Sequence, residues 1–144
     1  MKIIVDGMGG DNAPREIVKG CVEAVLEYST GIVLTGDGQR LEDELKRQNA
    51  PMEYFKIIHT SQIISMEDSP VQAIRKKTDS SMGKGLDLVR EDPGSVLISA
   101  GSTGALMAGG LLKVGRIKGI DRPALTSILP NRRNGTLLLD IGAN

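Results

Sequence analysis

The sequence predicts an α/β fold built on a mostly parallel sheet. Two patterns carry that expectation. Short β-branched runs alternate with longer amphipathic segments along most of the chain. Only the last two runs, Ala124 to Leu129 and Thr136 to Asp140, flank a turn-rich hexapeptide, Pro130-Asn131-Arg132-Arg133-Asn134-Gly135, that suits an antiparallel hairpin. Composition narrows the core: Tyr28, Tyr54 and Phe55 are the only aromatic residues, so the interior must be aliphatic. The 18 glycines among 144 residues point to tight backbone turns. At this length a single domain spanning 1–144 is expected.

Each element has its own reason. Ile3-Ile4-Val5 reads as a buried first strand. Pro14 is expected one or two positions inside the next helix, with Asp11 or Asn12 as its cap. Ile17, Cys21, Ala24, Val25 and Tyr28 recur at helical spacing, and Val18, Val22 and Leu26 widen that face. Thr30-Gly31 ends the helix. Ile32 to Thr35 is the second strand, Gly36-Asp37-Gly38 the turn leaving it, and Leu41 to Gln48 a charged surface helix. Tyr54 to His59 is the third strand, and Thr60 to Asp68 a polar loop. Ser69-Pro70 opens a helix running to about Lys77, and Ser80 or Ser81 caps another ending near Arg90. Val96 to Ser99 is the fourth strand, and Gly101 to Gly104 turns into a small-residue helix, Ala105 to Leu112. Leu137 to Asp140 reads as a core strand reaching its carboxyl edge with no helix after it. The chain is therefore expected to be the N-terminal portion of a longer enzyme.

Charge and residue inventory exclude several function classes. Eighteen Lys and Arg balance 18 Asp and Glu, and aromatics are scarce, which argues against a nucleic-acid partner. One cysteine and one histidine leave no zinc arrangement, so no metal and no cofactor are expected. The start, Met1-Lys2-Ile3-Ile4-Val5-Asp6, turns acidic before a signal-peptide core develops, and no stretch approaches the ~20 apolar residues of a membrane span. The chain is expected to be cytoplasmic. Cys21 lies on an apolar helical stripe and reads as core. His59 has no evident carboxylate partner, so nucleophilic triads have little support.

Three strand-edge turns can carry chemistry, because ligands in parallel sheets bind outside the carboxyl ends of strands. The first is Asp6-Gly7-Met8-Gly9-Gly10-Asp11-Asn12. Its glycines let N–H groups approach an anion, but the third position of a dinucleotide fingerprint falls on Asn12. The second, Ser99-Ala100-Gly101-Ser102-Thr103-Gly104, joins two glycines, three hydroxyls and a helix start. It lacks the lysine of a Walker loop. The third is Asp140-Ile141-Gly142-Ala143-Asn144. Each also reads as an ordinary structural corner, the first more readily than as a site, and on residues alone both readings stand. Nearby cations are Arg75, Lys76 and Lys77, and Arg122, which Pro123 holds extended.

Six blocks in series resemble one family: Val5 to Pro14, Ser69-Pro70 through Arg75, Ser80-Ser81-Met82, Ser99 to Met107, Gly119 to Leu125, and Leu139 to Asn144. They are similar to the phosphate acyltransferases (acyl-[acyl carrier protein]–phosphate transacylases) of bacterial phospholipid synthesis. The resemblance implies a three-layer α/β/α sandwich like that of isocitrate dehydrogenases and phosphotransacetylases. It implies acyl phosphate formation from acyl-[acyl carrier protein] and orthophosphate, without a cofactor. The product would feed a membrane glycerol-3-phosphate acyltransferase, and the enzyme would be a homodimer, peripheral at the membrane. The expected phosphate-binding residues are Asp6, Gly9, Gly10, Asp11, Ser99, Gly101, Ser102, Thr103 and Gly104. Arg122, Asp140 and Asn144 are the catalytic candidates. The family has asparagine where this chain has Ser102. A phosphotransacetylase-like enzyme acting on acyl-coenzyme A, or a non-catalytic fragment, are the alternatives.

Overall fold

The computed structural model describes residues 2–121 and 123–140. Its centre is a four-stranded, all-parallel sheet of β1 (Ile3–Asp6), β2 (Ile32–Gly36), β3 (Phe55–His59) and β4 (Val96–Ile98), in the order β3-β2-β1-β4. After β1 the chain moves outward through α1 (Arg15–Tyr28) to β2, then through α2 (Gly38–Arg47) to β3. It returns through α3 (Pro70–Lys76) and α4 (Ser81–Glu91) to place β4 on the other side of β1. Then come α5 (Thr103–Gly109) and the hairpin of β5 (Thr126–Leu129) and β6 (Thr136–Leu139).

Strand alternation sorts the core into two layers. Val5, Ile32 and Leu34 point to one face and close against Val18, Cys21, Val22 and Val25 of α1 and Leu41 and Leu45 of α2. The other face carries Ala73, Ile74, Met82, Leu86 and Ala105 from α3, α4 and α5, with Leu97 of β4 against them. Full burial of one such aliphatic side chain is worth about 1.5–3 kcal/mol. Helices on both faces of a parallel sheet make the three-layer α/β/α architecture that the sequence predicts.

Several boundaries differ from the sequence expectations. Pro14 sits at the N-cap of α1 rather than inside it, and neither Asp11 nor Asn12 caps the helix. Ala13 N–H donates to the Gly10 carbonyl at 3.3 Å and Glu16 N–H to the Asn12 carbonyl at 3.2 Å, so residues 11–14 stay in turns. Leu26 and Tyr28 are exposed, because the buried stripe runs through Val18, Cys21, Val22 and Val25. The helix ends at Ser29 in a left-handed conformation, before Thr30-Gly31. Asp37 accepts from Arg40 N–H, which starts α2 at Gly38. Tyr54 belongs to a short 3₁₀ turn before β3. The helix after Ser102 changes to a π turn over Gly110–Val114, where Lys113 pairs with Asp87 of α4 at 2.7 Å.

The largest correction concerns β6. Leu137 and Leu139, expected in the core, are exposed, because among the described residues β6 pairs only with β5, in a separate two-stranded sheet. The hairpin itself has the expected antiparallel register, Thr126 opposite Leu139 and Leu129 opposite Thr136. No helix among the described residues is long and apolar enough to cross a membrane.

Candidate functional site

The strand order creates the site. α1 leaves β1 for one face of the sheet, and α5 leaves β4 for the other, where it meets α3 and α4. Adjacent parallel strands whose connections part in this way leave a crevice at their carboxyl ends, the usual ligand position in open α/β sheets. The loops that enter this crevice are Gly7–Pro14 and Ser99–Ser102, the first and second glycine turns of the sequence.

A partly buried hydrogen-bond chain ties the two loops. Ser99 Oγ donates to Asp6 Oδ2 at 2.8 Å, and accepts from Gly101 N–H at 3.1 Å. Asp6 is 2% exposed, and its other oxygen accepts from Met8 N–H at 3.2 Å. A carboxylate buried to this degree needs such partners. Asp6 therefore holds backbone in place, across 93 residues of sequence. Gly9 is required by the closeness of the loops: a Cβ there would lie 2.6 Å from Asp6 Oδ2 and 2.9 Å from Gly101 N. Gly10 adopts φ +97°, the left-handed region that favours glycine.

Further motif blocks converge on the same edge. Met82 Cε lies 3.3 Å from where a Cβ of Gly101 would sit, and a Cβ on Gly104 would meet Pro70 Cγ at 3.0 Å. Thr35, fully buried, donates from Oγ1 to the Ser81 carbonyl at 2.9 Å and so fixes the start of α4 against β2. Ser80 Oγ caps α4 by accepting from Gly83 N–H at 3.2 Å. Thr35 and Pro70 carry no chemistry in sequence. Only the strand order reveals that they buttress the crevice.

The expected anion donors divide into two groups. Gly101 N–H is engaged by Ser99, Gly9 N–H by the Asp6 carbonyl at 3.4 Å, and the buried Ser102 Oγ accepts from Ala105 N–H at 3.3 Å. The N–H groups of Gly10, Thr103 and Gly104 have no acceptor among the described residues. Thr103 is exposed, as is Asp11, which forms no side-chain hydrogen bond there. Asp140 lies at the end of β6 in the separate sheet, exposed, at φ 58°. It makes no hydrogen bond with the crevice residues among the described ones. Arg122 and Asn144 lie outside the described residues.

The other singled-out residues are structural here. Burial pushes the Cys21 thiol up to about 11, so it is protonated at neutral pH. His59 Nδ1 accepts from Gly38 N–H at 3.1 Å. Among the described residues no group of three His, Cys, Asp or Glu side chains is placed to hold a metal ion.

A family profile described as "Fatty acid synthesis protein" matches residues 1–144. The chain belongs to that family. Its curated relatives include phosphate acyltransferases of Clostridioides difficile, 54% identical, Halothermothrix orenii, 51%, and Alkaliphilus oremlandii, 52%. Each alignment covers all of this chain and 43% of the relative.

Proposed function

We propose that the chain carries the phosphate-handling part of a phosphate acyltransferase that converts acyl-[acyl carrier protein] and orthophosphate into acyl phosphate and free carrier protein. The observation behind this reading is the crevice between β1 and β4, where Ser99 and Asp6 lock two glycine turns together. The Gly10, Thr103 and Gly104 N–H groups on these two turns have no acceptor among the described residues. Backbone donors of this kind suit a phosphate oxyanion. Membership of the family and the names of its relatives support the acyl-transfer half.

Orthophosphate is already a nucleophile, so the reaction needs position more than activation. A phosphate oxygen attacks the thioester carbonyl, and the carbonyl π electrons move onto its oxygen. Collapse of that tetrahedral species expels the carrier thiolate, which takes up the proton lost from phosphate. Gly10, Thr103 and Gly104 N–H groups hold the phosphate, and Asp6 with Ser99 keeps their loops rigid. Thr103 adds an exposed hydroxyl, whereas the Ser102 hydroxyl is buried and its oxygen caps α5 by accepting from Ala105 N–H. Arg122 offsets charge on this reading, and Asn144 orients the thioester, whereas Asp140, exposed at the end of the separate hairpin, takes no part. The consuming step is acylation of glycerol 3-phosphate by a membrane acyltransferase, with the enzyme a homodimer, cytoplasmic and peripheral at the membrane.

A chimera tests this reading: the chain replaces the matching segment of the Clostridioides difficile relative. Phosphate-dependent release of carrier thiol, with acyl phosphate trapped as hydroxamate, is expected. A folded chimera that consumes no thioester in the presence of phosphate overturns it. Faster turnover of acetyl-coenzyme A than of palmitoyl-carrier protein favours the phosphotransacetylase alternative.

A further inference from the structure

We infer that Asp11 selects a protonated anion: its carboxylate accepts a hydrogen bond from the O–H of orthophosphate held at the Gly10 amide, and so discriminates against sulfate. The inference deepens the phosphate reading of the crevice and rests on it. Two carboxylates belong to the first glycine turn, and they differ. Asp6 is buried and occupied, since Oδ2 accepts from Ser99 Oγ and Oδ1 from Met8 N–H. Asp11 is exposed, with neither a side-chain hydrogen bond nor an ion pair among the described residues. The cation nearest to it along the chain, Arg15, pairs with Glu16 at 3.6 Å. Elsewhere the fold uses aspartates as fasteners: Asp37, Asp43, Asp68, Asp79, Asp87 and Asp92 each hold a partner. Asp11 fastens nothing, so its acceptor oxygens are available to a ligand.

Covalent geometry ties that carboxylate to the anion. Consecutive Cα atoms are about 3.8 Å apart, so an anion on the Gly10 N–H lies within reach of the next side chain. Gly10 itself packs on the second glycine turn, where a Cβ would meet the Ala100 carbonyl oxygen at 3.1 Å. Ala13 N–H donates to the Gly10 carbonyl at 3.3 Å, which holds Asp11 in the turn just beyond that contact. An anion here meets a local field made negative by Asp6 and Asp11. An ionised oxygen facing Asp11 is repelled. A protonated oxygen donates to it instead, in a charge-assisted hydrogen bond. At neutral pH orthophosphate and arsenate each keep at least one proton, whereas sulfate, of the same shape, keeps none. Amide donors suit the ionised oxygens, and Asp11 supplies the acceptor that the remaining O–H requires. Asp6 does not serve, because Ser99 and Met8 already occupy it.

The test is anion competition at constant ionic strength. The 144-residue chain is titrated with orthophosphate, arsenate and sulfate, followed by amide NMR. Saturable shifts at Gly10 are expected with orthophosphate and arsenate. Sulfate should bind at least about tenfold more weakly, the loss of one charge-assisted hydrogen bond. Asp11→Asn offers an N–H in place of one oxygen, and Asp11→Ala removes acceptor and charge together. In both variants sulfate should come within about threefold of orthophosphate. Both should keep the circular dichroism and melting temperature of the parent chain, because the Asp11 side chain holds no partner. Sulfate as tight as orthophosphate on the parent chain, or unchanged discrimination in both variants, overturns the inference and leaves the phosphate reading standing. So does orthophosphate binding that spares Gly10. A fall in melting temperature of both variants would make Asp11 a loop fastener and overturns it too. Absence of any saturable orthophosphate binding overturns the inference and the phosphate reading together.

Discussion

Ser99→Ala tests how the crevice is held. The hydroxyl has two jobs: it donates to the buried Asp6 carboxylate at 2.8 Å and accepts from Gly101 N–H at 3.1 Å. Deleting it leaves Asp6 with Met8 N–H as its remaining hydrogen-bond donor and Gly101 N–H with no acceptor. A hydrogen bond to a charged group contributes about 1.5–3 kcal/mol, and a stranded, partly buried N–H costs about 1 kcal/mol more. The expected loss is therefore about 3 kcal/mol, or a fall in melting temperature of about 10 °C for a chain this size. Urea and thermal unfolding of the variant measure it, with exposed Ser127→Ala as control. Asp6→Asn completes a double-mutant cycle, and a coupling of at least ~1 kcal/mol is expected for groups in direct contact. A Ser99→Ala loss below about 0.5 kcal/mol, or additive single mutants, would refute the claim that this pair joins the loops.

Three other outcomes follow from the same coordinates. Gly9→Ala forces a Cβ against Asp6 Oδ2 and Gly101 N, so phosphate-dependent activity of the chimera should drop at least tenfold while far-ultraviolet circular dichroism stays native. The Cys21 thiol, pushed by burial from about 9 to about 11, favours the folded state below pH 9. Stability should fall as pH rises from about 9 to about 11, by roughly 2 kcal/mol. That slope should flatten in Cys21→Ala, as read by urea midpoints. Asp68, Asp79 and Asp92 are held below the usual carboxylate range, chiefly by side-chain hydrogen bonds from Lys77, Ser61 and Lys2 respectively. Their contribution is present above the ordinary carboxylate value and lost as pH falls below it. Acid unfolding of Asp79→Asn should therefore show a shallower pH dependence than that of the parent chain.

Much of this architecture was legible because local signals agreed. The runs Ile3–Val5, Ile32–Thr35 and Val96–Ile98 are β-branched and bounded by turns, and each became a parallel strand. Ser80, one of two expected caps, does cap α4, and the expected turn before the small-residue helix holds the cap of α5, Ser102. Strand order was not legible, since no residue pattern says that β4 pairs with β1 rather than with β3. That pairing is what unites Asp6 with Ser99. A second demand on two glycines was hidden for the same reason: Gly101 and Pro70 lie against Gly9 and Gly104, which is visible only after packing. Leu137 and Leu139 have core composition, yet they are exposed because β5 is the only strand that pairs with theirs among the described residues.

The central claim is that the crevice between β1 and β4 receives orthophosphate through free backbone donors. Amide NMR titration of the chain with orthophosphate tests it most directly. Saturable shifts centred on Gly10, Thr103 and Gly104 are expected, abolished in Ser99→Ala. Saturable shifts elsewhere, or none at these three amides at saturating phosphate, would contradict it.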